Sequence, residues 1–113
     1  MLLLLSEGDV LLEKRPPAGI WGGLWCFPEI PLGEDPRGYC LRRWGAELAG
    51  VARLPQVRHG FTHFILNIDP VVCRARPASS FVSEPGQVSL PLDDAVQAAV
   101  PAPVKRLLAG LSP

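Results

Sequence analysis

Two stretches of this 113-residue chain hold side chains whose types and spacing could do chemistry. The first, "GEDPRGYCLRRWGAEL" (residues 33–48), mixes Glu34 and Glu47 with Arg42 and Arg43 in a helical pattern. Carboxylates clustered on such a segment can hold magnesium against a pyrophosphate. The second, "RHGFTHF" (residues 58–64), carries Arg58, His59, Phe61, Thr62 and His63. A His pair four apart binds zinc when both rings share a helical face. Here the segment runs from a loop into a strand, where four apart means well separated, so no metal is expected. No Ser-His-Asp arrangement and no phosphate-cradling glycine loop stands out. Cys26, Cys40 and Cys73 are odd in number and dispersed, which fits neither a disulfide framework nor a zinc knuckle. They read as reduced, partly buried thiols in a reducing compartment.

The elements that position these residues follow from periodicity. Apolar runs at 2–5 and 10–13 flank "SEGD", which predicts a hairpin with strands at about 2–6 and 9–14. "RPPAGIWGG" is a loop, because adjacent prolines fix φ and remove donors. "LWCFPEI" resumes as a short strand limited by Pro28. A helix is expected from Pro36 to Leu48, capped by Asp35, with Cys40, Trp44 and Leu48 as its apolar stripe and Gly50 at its end. "FTHFILNID" alternates: Phe64, Leu66 and Ile68 face one side, and His63, Ile65, Asn67 and Asp69 the other. "VVCRARP" is a further strand, "PASSFVSEPG" a loop, "QVSLPL" a short edge strand, and "LDDAVQAAV" and "APVKRLLAGL" two closing helices. The order predicts an α+β fold with a mixed sheet.

Size and composition narrow the function. The length suits one domain, residues 1–113, and 48% apolar residues supply a core. Thirteen prolines and eleven glycines argue for turns and against a helical bundle. Eleven basic residues balance eleven acidic ones. An autonomous nucleic-acid binder normally carries a basic excess, so DNA binding by this chain alone is expected to be weak. The opening Met-Leu-Leu-Leu-Leu is too short for a signal peptide or a membrane span and reads as a buried strand. No membrane partner is expected.

The 33–48 segment invites comparison with the nucleoside-diphosphate-X (Nudix) hydrolases, whose box reads G-x5-E-x7-R-E-U-x-E-E-x-G-U, with U bulky and apolar. Laid on this chain, Pro28 falls at the first glycine, Glu34 and Arg42 match, Arg43 and Ala46 replace two glutamates, and Glu47 matches the last. Two of the three carboxylates of the metal face are gone, and one has become a cation. The partial match is compatible with the fold and counts against the hydrolysis.

Three further segments occur in order along nearly the whole chain: "LLEKRPPAGIWGGLWCFPE" (Leu11–Glu29), "RHGFTHFILNIDPV" (Arg58–Val71) and "VPAPVKRLL" (Val100–Leu108). Together they resemble the carboxyl-terminal domain of adenine DNA glycosylases of the MutY type, the second corresponding to that family's "RHTFSHFHLDI". The resemblance implies a Nudix-like domain with a degenerate box, no catalytic residue and no metal of its own. It implies a role in reading 8-oxoguanine opposite adenine during base-excision repair. Excision, and an iron–sulfur cluster, belong to a separate amino-terminal domain. These 113 residues contain no four-cysteine cluster motif, so the chain is expected to be a fragment or a stand-alone relative. The implied partners are double-stranded DNA holding 8-oxoguanine opposite adenine and the amino-terminal catalytic domain. The implied location is the cytoplasm, with the genomic DNA.

The same resemblance assigns the tip. Phe61, Thr62 and His63 stand where the family has Phe-Ser-His. Guanine offers N7 as an acceptor, whereas 8-oxoguanine presents an N–H there and a carbonyl at C8. A Thr62 hydroxyl can accept from that N–H. Phe61 would wedge beside the base stack, and His63, His59 and Arg58 would lie along the DNA, His63 and Arg58 reaching phosphate. Three departures bear on this. Thr62 replaces Ser and adds a methyl, Gly60 replaces Thr and loosens the turn, and Ile65 replaces a second His. Arg42-Arg43 and Lys105-Arg106 read as solvated helix faces. Trp21-Gly22-Gly23-Leu24-Trp25 reads as a shaped core element that seats the Phe61–His63 loop on the sheet. The alternatives are a working Nudix hydrolase of nucleoside di- or triphosphates and a protein-interaction module retaining only the fold.

Overall fold

A computed structural model describes residues 1–77 and 82–111. The tetrapeptide 78–81, within the expected "PASSFVSEPG" loop, and residues 112–113 lie outside the described residues. The first two strands, β1 (Leu2–Ser6) and β2 (Asp9–Lys14), form the predicted hairpin. Glu7 and Gly8 at its turn have φ of 50° and 86°, the left-handed pair that matches the strand twist of a tight hairpin. β1 pairs in parallel with β7 (Val71–Ala75) on its other edge, Leu2 opposite Val71 and Leu4 opposite Cys73. A central strand with helices over both faces is buried on both sides. This explains why the opening run does not alternate: Leu2 and Leu4 point one way, Leu3 and Leu5 the other, and all four are buried.

The main sheet runs β3-β2-β1-β7-β4, with β3 covering Trp25–Cys26 and β4 Leu48–Arg53. β8 (Gln87–Pro91) closes the other edge of β2, as expected of an edge strand. One face packs α1 (Pro36–Trp44) over Leu2, Leu4, Leu11, Val71 and Cys73. The other packs α2 (Leu92–Gln97) and α3 (Ala102–Ala109) over Leu3, Leu5, Val10, Leu12 and Val72. The fold is the expected α+β architecture, a mixed sheet flanked by helices.

Two boundaries differ from the sequence reading. The helix begins as predicted, with the Asp35 carboxylate accepting from Gly38 N at 3.1 Å and Pro36 in the first turn. It stops at Trp44 rather than Leu48. Gly45 adopts φ 71°, and Ala46 N donates to Cys40 O at 3.2 Å, closing the helix end. Leu48 is buried beside Cys40 and Trp44, but from β4, which pairs antiparallel with β7. Gly50 is a strand residue next to an irregularity in that ladder, not a helix end. Sheet pairing here outweighs the helical preference of "AELA". The second difference is β5 (Val57–Gly60), where the sequence predicts a loop. It pairs with β6 (Ile65–Ile68) in a separate two-stranded sheet, Arg58 opposite Asn67 and Gly60 opposite Ile65. Phe61–Phe64 is therefore the turn of a hairpin rather than the start of a strand.

Candidate functional site

The Nudix-box positions come together on α1 and just after it, and their partners close the site. Arg42 Nη2 meets Glu34 Oε2 at 2.9 Å, so the two surviving early box residues pair with each other. Arg43 Nε lies 2.9 Å from Glu84 Oε2, and its Nη2 lies 2.9 Å from Glu13 Oε1. Its third nitrogen donates to Tyr39 Oη at 3.1 Å, and the guanidinium carbon sits 4.7 Å from the centre of the Trp44 ring. Hydrogen bonding to Glu84 holds this guanidinium even further above neutrality than usual. Gln87 Nε2 also donates to Glu13 at 3.0 Å, and Trp44 Nε1 donates to Gln87 Oε1 at 3.0 Å. Ala46 is buried in the core, and Glu47 lies beyond the helix, 3.9 Å from Arg76 Nε. A fixed cation bound to two carboxylates, and a methyl at the next box position, do not fit a divalent metal there. Arg43 is thus an internal cross-link from α1 to β2 and to the segment preceding β8, not a solvated helix face.

The second stretch forms the β5–β6 tip. Phe61 N donates to Phe64 O at 2.8 Å, which leaves Thr62 and His63 as the exposed corner. Behind them the aromatic rings gather. Phe61 stacks on Phe64 at 4.5 Å, meets His59 edge-on at 4.8 Å and lies 5.9 Å from Trp21. Trp21 is also 5.9 Å from His59. Phe61 and His59 are half-buried in this stack, while Arg58 is exposed on the opposite face of the hairpin. The tip therefore presents Thr62 and His63 as its outward polar groups, with Phe61 behind them packed among its neighbours.

Trp21 reaches the hairpin because its loop is tied down. Arg15 N donates to Leu24 O at 2.8 Å, Leu24 N to Trp21 O at 3.1 Å, and Gly23 N to Pro16 O at 3.1 Å. Trp21 itself has φ 54°, a conformation non-glycine residues adopt only when their surroundings impose it. A Cβ on Gly22 would collide with the Pro17 carbonyl, so glycine is required there. Trp21 and Trp25 both pack, partly buried, against the core cluster that includes Leu3, Leu12 and Phe27. Trp21 in addition meets the hairpin rings, so it links the core to the tip, a role that spacing alone does not reveal.

Between this loop, residues 29–34 and the hairpin lies a cleft of about 320 Å³, lined among others by Arg15, Trp21, Glu29, Arg53 and Asn67. Arg15 and Glu29 pair across it at 3.4 Å. Sequence reasoning missed Arg53 and Asn67 because nothing in their local pattern marks them; they meet only through the β4–β7 and β5–β6 pairings. The three thiols are buried. Burial pushes Cys26 up to about 11. The hydrogen bond between Cys40 and Cys73 holds Cys40 below, and Cys73 well above, the ordinary thiol range. No described helix is long and apolar enough to cross a membrane.

A mixed sheet between helix layers, with its loop–helix box on one face, defines a Nudix-type domain. The family described as NUDIX domain (NUDIX_4) matches residues 1–110, and the chain belongs to it. Within that class, it is similar to the adenine DNA glycosylase of Buchnera aphidicola subsp. Baizongia pistaciae, 24% identical over 107 residues, 95% of this chain and 30% of the relative. It is also similar to that of Buchnera aphidicola subsp. Acyrthosiphon pisum, 26% identical over 108 residues, 95% of this chain and 31% of the relative. The chain spans less than a third of the length of these curated relatives. In fold it is similar to the C-terminal domain of mouse MUTYH, solved in complex with human PCNA: TM-score 0.73, 23% identity, 96% of this chain and 81% of that one. A MutT NUDIX hydrolase from Burkholderia pseudomallei gives a TM-score of 0.65 at 18% identity, covering 98% and 94%.

Proposed function

We propose that this chain is the lesion-reading domain of an adenine DNA glycosylase, recognising 8-oxoguanine opposite adenine through the tip of the β5–β6 hairpin. The observation that carries the reading is the placement of Thr62: an exposed hydroxyl at a hairpin corner, backed by the Phe61–Phe64–His59–Trp21 stack, in a Nudix-type domain whose metal site is closed by Arg43. The hydroxyl accepts from the N7–H that oxidation creates, whereas with unmodified guanine it must turn and donate its own proton to N7, giving up that proton to any other acceptor at the tip. His63 beside it contributes a phosphate or sugar contact. Phe61 stiffens the tip rather than entering the stack. Excision of adenine, and any iron–sulfur cluster, belong in this reading to residues outside these 113, and the domain works beside genomic DNA.

The similarity of nearly the whole chain to adenine DNA glycosylases supports this reading over hydrolysis of free nucleotides. The experiment is an NMR titration of the chain with duplexes holding 8-oxoguanine or guanine opposite adenine, at stated salt. Shifts centred on Thr62 and larger for the oxidised duplex are expected. Thr62→Val, which keeps the shape and loses the hydroxyl, is expected to reduce the preference by about 1–3 kcal/mol, five- to 150-fold. Equal, scattered shifts for both duplexes would refute the lesion-specific role.

A further inference from the structure

The three buried cysteines are not equivalent. Cys26 lies on the face of the main sheet that α2 and α3 cover, among Leu3, Leu12 and Phe27. Cys40 and Cys73 lie together on the opposite face, among Leu2, Leu4 and Trp44. Cys40 is the middle of the buried stripe Pro36, Cys40, Trp44 along α1. Cys73 is the middle residue of β7, opposite Leu4 of β1 and Val51 of β4. Packing of the helix on that face brings the two thiols into hydrogen-bond contact. The contact holds Cys40 below the ordinary thiol range and keeps the proton on Cys73. Between the two cysteines the chain runs through β4 and the whole β5–β6 hairpin that carries Thr62.

We propose that Cys40 and Cys73 form an oxidation site, joined by a disulfide when the domain meets hydrogen peroxide, and that the bond ties together the two ends of the segment bearing the hairpin. Cys40 is the attacking sulfur and Cys73 the one that resolves it. The Cys40 sulfur attacks a peroxide oxygen and the O–O bond breaks. Cys40 becomes a sulfenic acid, and its proton leaves with the other oxygen as water. The Cys73 sulfur then attacks the Cys40 sulfur; the S–S bond forms, the S–O bond breaks, and the departing hydroxide takes the Cys73 proton as a second water. Two thiols lose two electrons, and hydrogen peroxide is reduced to two waters. The oxidant is small and uncharged, and α1 is a single nine-residue layer over the pair, with Leu41 and Arg42 exposed on its outer side. Local opening of that helix admits it. Cys26 has the sheet between it and the pair, so it stays out of the bond. The cross-link closes a loop of about 30 residues and restricts the unfolded chain. It forms whether or not the hairpin reads a lesion.

The test treats the folded 113-residue chain with hydrogen peroxide, alkylates it in urea, and reads intact mass and tryptic peptides without reduction. Expected are the loss of two hydrogens, alkylation at Cys26 alone, and a cross-link joining the peptide Gly38–Arg42 to His59–Arg74, all reversed by dithiothreitol. The cross-linked chain is expected to melt about 10 °C above the reduced one. Oxidation of the chain already unfolded in urea should scatter the pairings, Cys26 included. Alkylation of all three thiols after treatment of the folded chain would overturn the site. So would oxygen added to either sulfur without a link, a disulfide between two chains, or pairing with Cys26. An unchanged or lower Tm in a chain linked at Cys40 and Cys73 would overturn the restraint on the hairpin-bearing segment.

Discussion

Replacing Trp21 by leucine should loosen the hairpin more than the sheet. Leucine meets the same φ of 54° as tryptophan, so the backbone cost is carried over, and an aliphatic side chain still covers part of the core that Trp21 packs against. Two are lost, to His59 and Phe61, both at 5.9 Å and tilted by 56° and 48°. Aromatic pairs contribute about 0.5–1.5 kcal/mol each beyond buried area, so the sum is about 1–3 kcal/mol. β5 and β6 are hydrogen-bonded to each other and form a sheet separate from the main one. Such a unit can open by itself, at a free energy below that of global unfolding. Hydrogen exchange followed by NMR reads this directly. The Phe61 amide and the β5–β6 ladder amides should exchange roughly five- to 150-fold faster, since about 1.4 kcal/mol is tenfold. The β1 amides, held between β2 and β7, should lose much less protection than the hairpin. Trp21→Phe, which retains a ring, should recover part of the hairpin's protection. If β1 and β7 accelerate as much as the hairpin, Trp21 belongs to the global core. If nothing accelerates, the stack is not what holds the tip, and the reasoning fails.

Arg43→Met should lower Tm by about 10 °C in calorimetry. It strips Glu13 and Glu84 of a partner, and after discounting their partial exposure this costs about 2 kcal/mol; an unchanged Tm would mean that the cross-link contributes nothing. Gly22→Ala should cost several kcal/mol and displace Trp21, because the added methyl meets the Pro17 carbonyl; a variant with parental Tm and unshifted His59 and Phe61 resonances would contradict this. Cys26 predicts a pH dependence. Its thiol stays neutral in the fold up to about 11, whereas the unfolded thiol ionises near 9. The unfolded state therefore holds fewer protons in that window. The stabilisation is present below pH 9 and is lost as pH rises from 9 to 11, by roughly 3 kcal/mol. Urea melts across that range should show the loss, and Cys26→Val should show a smaller one; equal slopes would remove Cys26 as a source.

Much of the architecture is legible along the chain because it rests on local rules. The β1–β2 hairpin follows from two apolar runs around Glu7-Gly8, the start of α1 from Asp35-Pro36, and the two-sided burial of β1 from an apolar run that does not alternate. The loss of two box carboxylates is readable letter by letter, and so is a hydroxyl-bearing residue between Phe61 and His63. Side-chain type and short-range spacing are properties of the sequence itself, and they determine which chemistry is open to the protein.

What they do not determine is which residues meet. "AELA" has helical preference, yet it becomes the entry to β4 because β7 offers a ladder and Gly45 permits the turn. "VRHG" shows little strand character and becomes β5 only by pairing with β6. Arg43 reads as a solvated cation until Glu13 and Glu84, 30 and 41 positions away, close on it. Arg53 and Asn67 come to line one cleft only after the β4–β7 and β5–β6 pairings are made. Charge balance counted along the chain is zero whatever the fold, whereas its distribution in space depends on which pairs neutralise each other. That pairing is a long-range property, and only the tertiary structure decides it.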